Sequence, residues 1–202
     1  MWLWRKFPHL VLGNYLPLAY QSGQPPLKIS SNFFEVFSLP QGWVVDLSEL
    51  DTRFRKLQQQ FHPDRFANNS EIEKRRAVQM ASMINQAYET LKNPLSRAQY
   101  LLQLLDFDAA QESHITSDAQ FLMDQMLLRE ALSDLKSDPK PKQALESLAI
   151  DAEHKYLHLQ QQFAQQFDAG DYVAAFDTVA KMQFADKFAT DIDQLKDELE
   201  EL

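Results

Sequence analysis

With 202 residues and 45% hydrophobic content, the chain is long enough for one domain or two small ones with a filled core. It contains no cysteine, which excludes disulfides, thiolate metal sites and a cysteine nucleophile and fits a reducing compartment. The net charge of −9 is uneven, at +3 over residues 1–31, −1 over 32–108 and −11 over 109–202, and an acidic C-terminal half lacks the basic surface that nucleic-acid binding needs.

Only four glycines, with long stretches free of proline, favour helices. Residues 1–31 stand apart: Met1-Trp2-Leu3-Trp4-Arg5-Lys6-Phe7 opens a segment interrupted by Pro8, Pro17, Pro25 and Pro26. No apolar run there approaches the roughly 20 residues that span a bilayer, so no membrane partner is expected. Asn14 and Pro17 break what a signal peptide needs as a continuous apolar stretch, and arginine and serine are sparse for a transit peptide. The segment is expected to be a poorly ordered extension outside the fold.

From Asn32 the pattern sharpens. Asn32 to Pro40 reads as a short apolar helix stopped by proline. Asp46 is placed to cap the next helix, with Glu49 in the capping-box position. Leu47, Leu50, Phe54, Leu57 and Phe61 then recur every three or four residues, predicting one continuous buried stripe. Pro63 stops this helix, and residues 62–69 are expected to form a loop. Ala77, Met80, Ile84, Tyr88 and Leu91 define an answering helix, so two antiparallel helices joined by His62-Pro63-Asp64 follow. Pro94 ends the hairpin, and Leu95 to Leu105 reads as a further helix.

Residues 106–117 form a polar connection. Helices are expected at about 118–136, 142–168 and 171–200, separated by Ser137-Asp138-Pro139-Lys140-Pro141 and by Ala169-Gly170-Asp171. Short links predict an antiparallel three-helix bundle, and the whole chain is predicted to be all-α. On the first of these helices Phe121, Leu128, Leu132 and Leu135, with Gln125, form a core stripe. Leu122, Met123, Met126 and Leu127 are left over on an adjacent face, and methionines suit an adaptable binding surface. Either that face binds a partner or the helix at Leu95–Leu105 covers it.

The proline corner makes the His62-Pro63-Asp64 tip rigid. Its histidine can hydrogen-bond through either ring nitrogen, and its aspartate can accept a bidentate arginine contact. With Leu57-Gln58-Gln59-Gln60-Phe61 before it, and Asn85-Gln86-Ala87-Tyr88-Glu89-Thr90-Leu91-Lys92-Asn93-Pro94 and Arg97-Ala98-Gln99-Tyr100 after it, this layout resembles a J-domain, here residues 32–105. Ala119 to Glu130, Phe184-Ala185-Asp186-Lys187, Phe61 to Phe66 and Thr90 to Leu102 are similar to the HscB family of iron–sulfur co-chaperones. The glycine-phenylalanine linker and cysteine-rich module of general DnaJ-type proteins are absent.

The resemblance implies that the chain is no enzyme, needs no cofactor and works in a bacterial-type cytoplasm. His62, Pro63 and Asp64, with Arg53, Lys56 and Arg65, would engage an HscA/DnaK-type chaperone and stimulate its ATPase. Gln58, Gln59 and Gln60 stand where the family often has lysines, which implies weaker steering. Residues 118–202 would form the bundle that binds an IscU-type scaffold through Leu122, Met123, Met126, Leu127, Arg129, Glu130 and Phe184, with Asp134 a lesser candidate. Leu127 departs from an acidic residue common there, and Phe184 equally continues the core stripe Phe188, Ile192, Leu195 and Leu199. His154 and His158, four apart, have a metal-binding spacing, but no third ligand is near in sequence, and His114 falls in the connection. A hydrolase built on His62 and Asp64 would lack a nucleophile motif, a ligand cluster and a phosphate loop.

Overall fold

The computed structural model describes residues 32–107, 116, 118–135 and 140–200. The extension at 1–31, His114 and Ser137 to Pro139 lie outside the described residues. Among the described residues there are seven α-helices and no strand.

Helix α1 (Phe33–Val36) is capped by Asn32, whose side chain accepts the Phe34 N–H at 2.9 Å. Its end is a Schellman turn: Leu39 N–H reaches the Phe34 carbonyl and Ser38 N–H that of Glu35, with Ser38 at φ 52°. The helix therefore stops before Pro40 is reached. Helix α2 (Leu47–Phe61) starts where expected, with the Asp46 carboxylate accepting the Glu49 N–H at 3.0 Å. Glu49, expected to return the bond, pairs with Arg53 instead. The predicted stripe is corrected at its first member. Leu47 is 47% exposed because it lies at the outer end of the helix, whereas Leu50 is fully buried and Phe54, Leu57 and Phe61 are half-buried.

Residues 63–66 are a 3-10 turn rather than plain loop. Helix α3 (Glu71–Lys92) opens with a full capping box between Ser70 and Glu73, and the Ser70 hydrogen bonds hold the Glu73 carboxyl below its usual pKa. Ala77, Ile84, Tyr88 and Leu91 are buried as the stripe predicts, whereas Met80 is only half-buried. Phe54 stacks on Tyr88 at 3.8 Å, and the Tyr88 hydroxyl donates to Asp51 at 2.8 Å. Helix α4 (Pro94–Gln103) has Pro94 as its first residue and Asn93 as its cap, so this proline opens a helix as well as closing the hairpin. Tyr100 ties α4 back to α1, its ring stacked on Phe33 and its hydroxyl accepting the Phe33 N–H at 2.8 Å.

Helices α5 (Ala119–Asp134), α6 (Pro141–Asp168) and α7 (Tyr172–Glu200) match the three expected stretches. A second Schellman turn, with Gly170 at φ 75°, reverses the chain from α6 into α7. These two form a long antiparallel hairpin, and α5 lies along α7. Leu135, Leu145, Phe188, Ile192 and Leu195 make the core at the far end of this bundle. At the near end the J-type half and the bundle share one core. Leu101 and Leu102 pack in the same cluster as Leu159, Phe163, Ala175, Val179 and Met182. Phe107 adds ring contacts to Tyr172 and Phe176.

Candidate functional sites: the hairpin tip and the outer face of α5

The tip is built by α2 ending at His62. Pro63 supplies the first residue of the 3-10 turn with no N–H to satisfy, Phe66 is half-buried, and the turn packs on α3. The His62 Nδ1 accepts the Asp64 N–H at 3.3 Å and lies 3.6 Å from the Asp64 carboxylate. In the neutral ring this places the proton on Nε2, which leaves a donor for a partner. The Asp64 side chain is 89% exposed and the His62 side chain 59%. Arg65 closes the end of α2 by donating to the Gln59 carbonyl at 3.1 Å, where a helix terminus favours a cation.

The two basic residues expected on α2 differ. Lys56 is exposed, as is the neighbouring Arg55. Arg53 is bound within the fold: its guanidinium donates to the carbonyls of Phe37 and Ser38, the latter at 2.6 Å, and pairs with Glu49.

On α5 each residue turns about 100° from the last. That rotation puts Leu122, Met123, Met126, Leu127, Arg129 and Glu130 on one side and Phe121, Gln125, Leu128, Leu132 and Leu135 on the other. Met123, Met126 and Leu127 are 57, 69 and 56% exposed, Arg129, Glu130 and Asp134 are exposed, and Leu122 is half-buried at the margin. Helix α4 packs on α3 and α7 and leaves this face open. Phe184 sits differently, half-buried on α7 with its ring 6.0 Å from Phe121, so it supports the base of α5. Lys181 fixes the start of α5 by an ion pair to Asp118 at 2.7 Å, and this bond, with the Phe121 N–H, holds the Asp118 carboxyl below its usual range. His154 and His158 line a groove of about 360 Å³ between α5 and α6, with Asp124 and Lys155 also at its walls. No group of three or more metal-ligating side chains occurs among the described residues.

Two family models divide the chain: the DnaJ domain matches residues 32–100, and the HSCB C-terminal oligomerisation domain matches residues 117–193. The solved chaperone HscB from Vibrio cholerae is 38% identical with a TM-score of 0.76, over 83% of this chain and 99% of that one. The chain belongs to the HscB family of J-domain co-chaperones. The human co-chaperone HscB shares the fold, with a TM-score of 0.78 at 24% identity over 91% and 95% of the two chains. The Jac1 co-chaperone of Saccharomyces cerevisiae is 26% identical with a TM-score of 0.65, over 81% and 96%. This HscB-family member thus pairs an exposed His-Pro-Asp tip with an uncovered apolar face on α5. One feature that periodicity missed is the seam between its halves, where Trp43, Arg97, Tyr156 and Phe163 meet.

Proposed function

We propose that this HscB-family chain is an adaptor for iron–sulfur cluster assembly. The outer face of α5 holds an IscU-type scaffold carrying the cluster as cargo. The hairpin tip engages an HscA/DnaK-type chaperone, whose ATP hydrolysis rises when both surfaces are occupied. One observation carries this reading: two accessible surfaces of opposite chemistry, one charged and one apolar, stand on a single continuous core. At the tip, the Asp64 carboxylate can take a bidentate arginine contact while the His62 Nε2–H donates beside it. At α5, exposed Met123 and Met126 offer flexible, polarisable contact area with Arg129 and Glu130 along the same face. The chain supplies no reacting group, and its contribution is proximity and the choice of partner.

Steady-state ATPase assays of an HscA-type chaperone with scaffold, co-chaperone or both test this. Asp64→Asn should lower stimulation at least about tenfold, since truncating one partner of a desolvated charge pair costs about 2–5 kcal/mol. Its scaffold affinity should stay at the parent value. The double change Met123→Ala with Met126→Ala should do the reverse, weakening scaffold binding about tenfold while stimulation by the co-chaperone alone persists. Full stimulation by the Asp64→Asn protein would remove the tip from the mechanism.

A further inference from the structure

Arg97 is the one charged residue among the buried side chains described, only 7% exposed, and no carboxylate among the described residues pairs with it. Its Nη1 donates to the Leu91 carbonyl at 3.0 Å at the end of α3, and its guanidinium lies 4.7 Å over the ring of Trp43. Its Nε has no hydrogen-bond partner. Trp43 belongs to the segment between α1 and α2, and its ring also meets Phe163 of α6 across the seam, at 4.9 Å between centroids. Tyr156, about two turns before Phe163 on the same helix, brings its buried hydroxyl beside the backbone of Leu95 and the Arg97 guanidinium. Burial, with the charge of Asp186, pushes that hydroxyl up to about 12, so it stays neutral and cannot serve as a counter-charge.

A cation buried without an anion is a poor stabiliser and is tolerated only where fixed dipoles and a ring face receive it. Here both receivers lie within the J-type half, and one of them, Trp43, is also the surface offered to α6. Residues with no direction to their packing would let the Trp43 segment slide. A planar guanidinium held by Leu91 gives it one position.

We propose that Arg97 is the pin of a rigid joint. It holds Trp43 against Phe163, so that the His-Pro-Asp tip and the outer face of α5 keep one relative orientation in which their partners act on each other. The consequence for ATPase synergy rests on the function proposed above, whereas the geometric part does not. Arg97 is a positioning residue, touching neither partner.

Because the chain has no cysteine, two can be introduced cleanly, at the exposed positions Asn69 near the tip and Ser133 on α5, and spin-labelled. Pulsed dipolar distances in the full chain should be narrow with Arg97 present and clearly broader in Arg97→Leu, at unchanged helix content by circular dichroism. Arg97→Lys keeps the charge but loses the planar fork, so it should broaden to an intermediate degree. It also decides the matter if the leucine variant fails to fold. In ATPase assays, Arg97→Leu should lose at least about fivefold of the synergy between scaffold and co-chaperone, the low end of ordinary coupling. Stimulation without scaffold should change less than about twofold. A distance distribution unchanged in both variants overturns the joint itself. Broadened distances with full synergy overturn its role in coupling, and absence of synergy in the parent protein points instead at the proposed function.

Discussion

Arg53 and Lys56 lie one turn apart on α2, and both are basic residues on the flank of a J-domain helix. Arg53 is tied to the end of α1 through two carbonyls and to Glu49, which makes it a brace between the first two helices. Lys56 is exposed and available to a partner. Arg53→Ala should therefore lower stability by about 1–2 kcal/mol, because charge-assisted bonds are lost and two carbonyls give up their donor. Lys56→Ala should stay within about 0.5 kcal/mol. In binding, the order reverses: Lys56→Ala should slow association with the chaperone most at low salt, as charge steering requires. Urea titrations and stopped-flow association at two ionic strengths separate the two roles, and an unchanged urea midpoint for Arg53→Ala would refute the brace. The family resemblance implies one and the same role for both residues. What the sequence could not show is that α1 ends in a left-handed turn at Ser38, presenting its carbonyls to Arg53, because a serine does not announce that turn as a glycine does.

The helices themselves were legible because most begin at a residue whose side chain satisfies an orphan N–H. Asn32, Asp46, Ser70, Asn93 and Asp118 all do so. The Ser70–Glu73 box carries the usual four-residue signature and was there to be found. The means by which α5 is held to α7 was not, since Lys181 and Asp118 are 63 positions apart. This pair has a pH signature. Its hydrogen bond lowers the Asp118 pKa in the folded state, so the stabilisation is fully present above the unfolded value of about 3.9. It is lost as pH falls through the lower folded value. Lys181→Met should thus melt below the parent protein at neutral pH, with the gap closing only in acid below that unfolded value. A gap that persists unchanged into strong acid would mean that the Lys181 ammonium, 5.6 Å over the ring of Phe121, anchors α5 without help from the Asp118 carboxylate.

At the scale of the molecule, the sequence suggests two parts linked in series, with apolar residues of α6 and α7 serving only their own bundle. Leu159, Phe163, Ala175, Val179 and Met182 instead share their cluster with Phe34, Leu50, Ile84, Leu91 and Leu101. Periodicity shows which side of a helix is apolar but not which neighbour receives it: the helix at Leu95–Leu105 is a candidate cover for α5 in the sequence, whereas α4 lies on α7. A core that crosses the seam makes the halves depend on each other, because opening it exposes Phe163 and Met182, both fully buried, together with the Trp43 contact. Denaturation should consequently be one cooperative step. With Trp2 and Trp4 changed to Phe, the remaining tryptophan fluorescence comes from Trp43 at the seam, while far-ultraviolet circular dichroism reports all the helices. The two urea curves should superimpose in midpoint and slope. If Trp43 emission changes at a lower concentration than the helical signal, the halves separate before either unfolds, and the shared cluster is an interface rather than a common core.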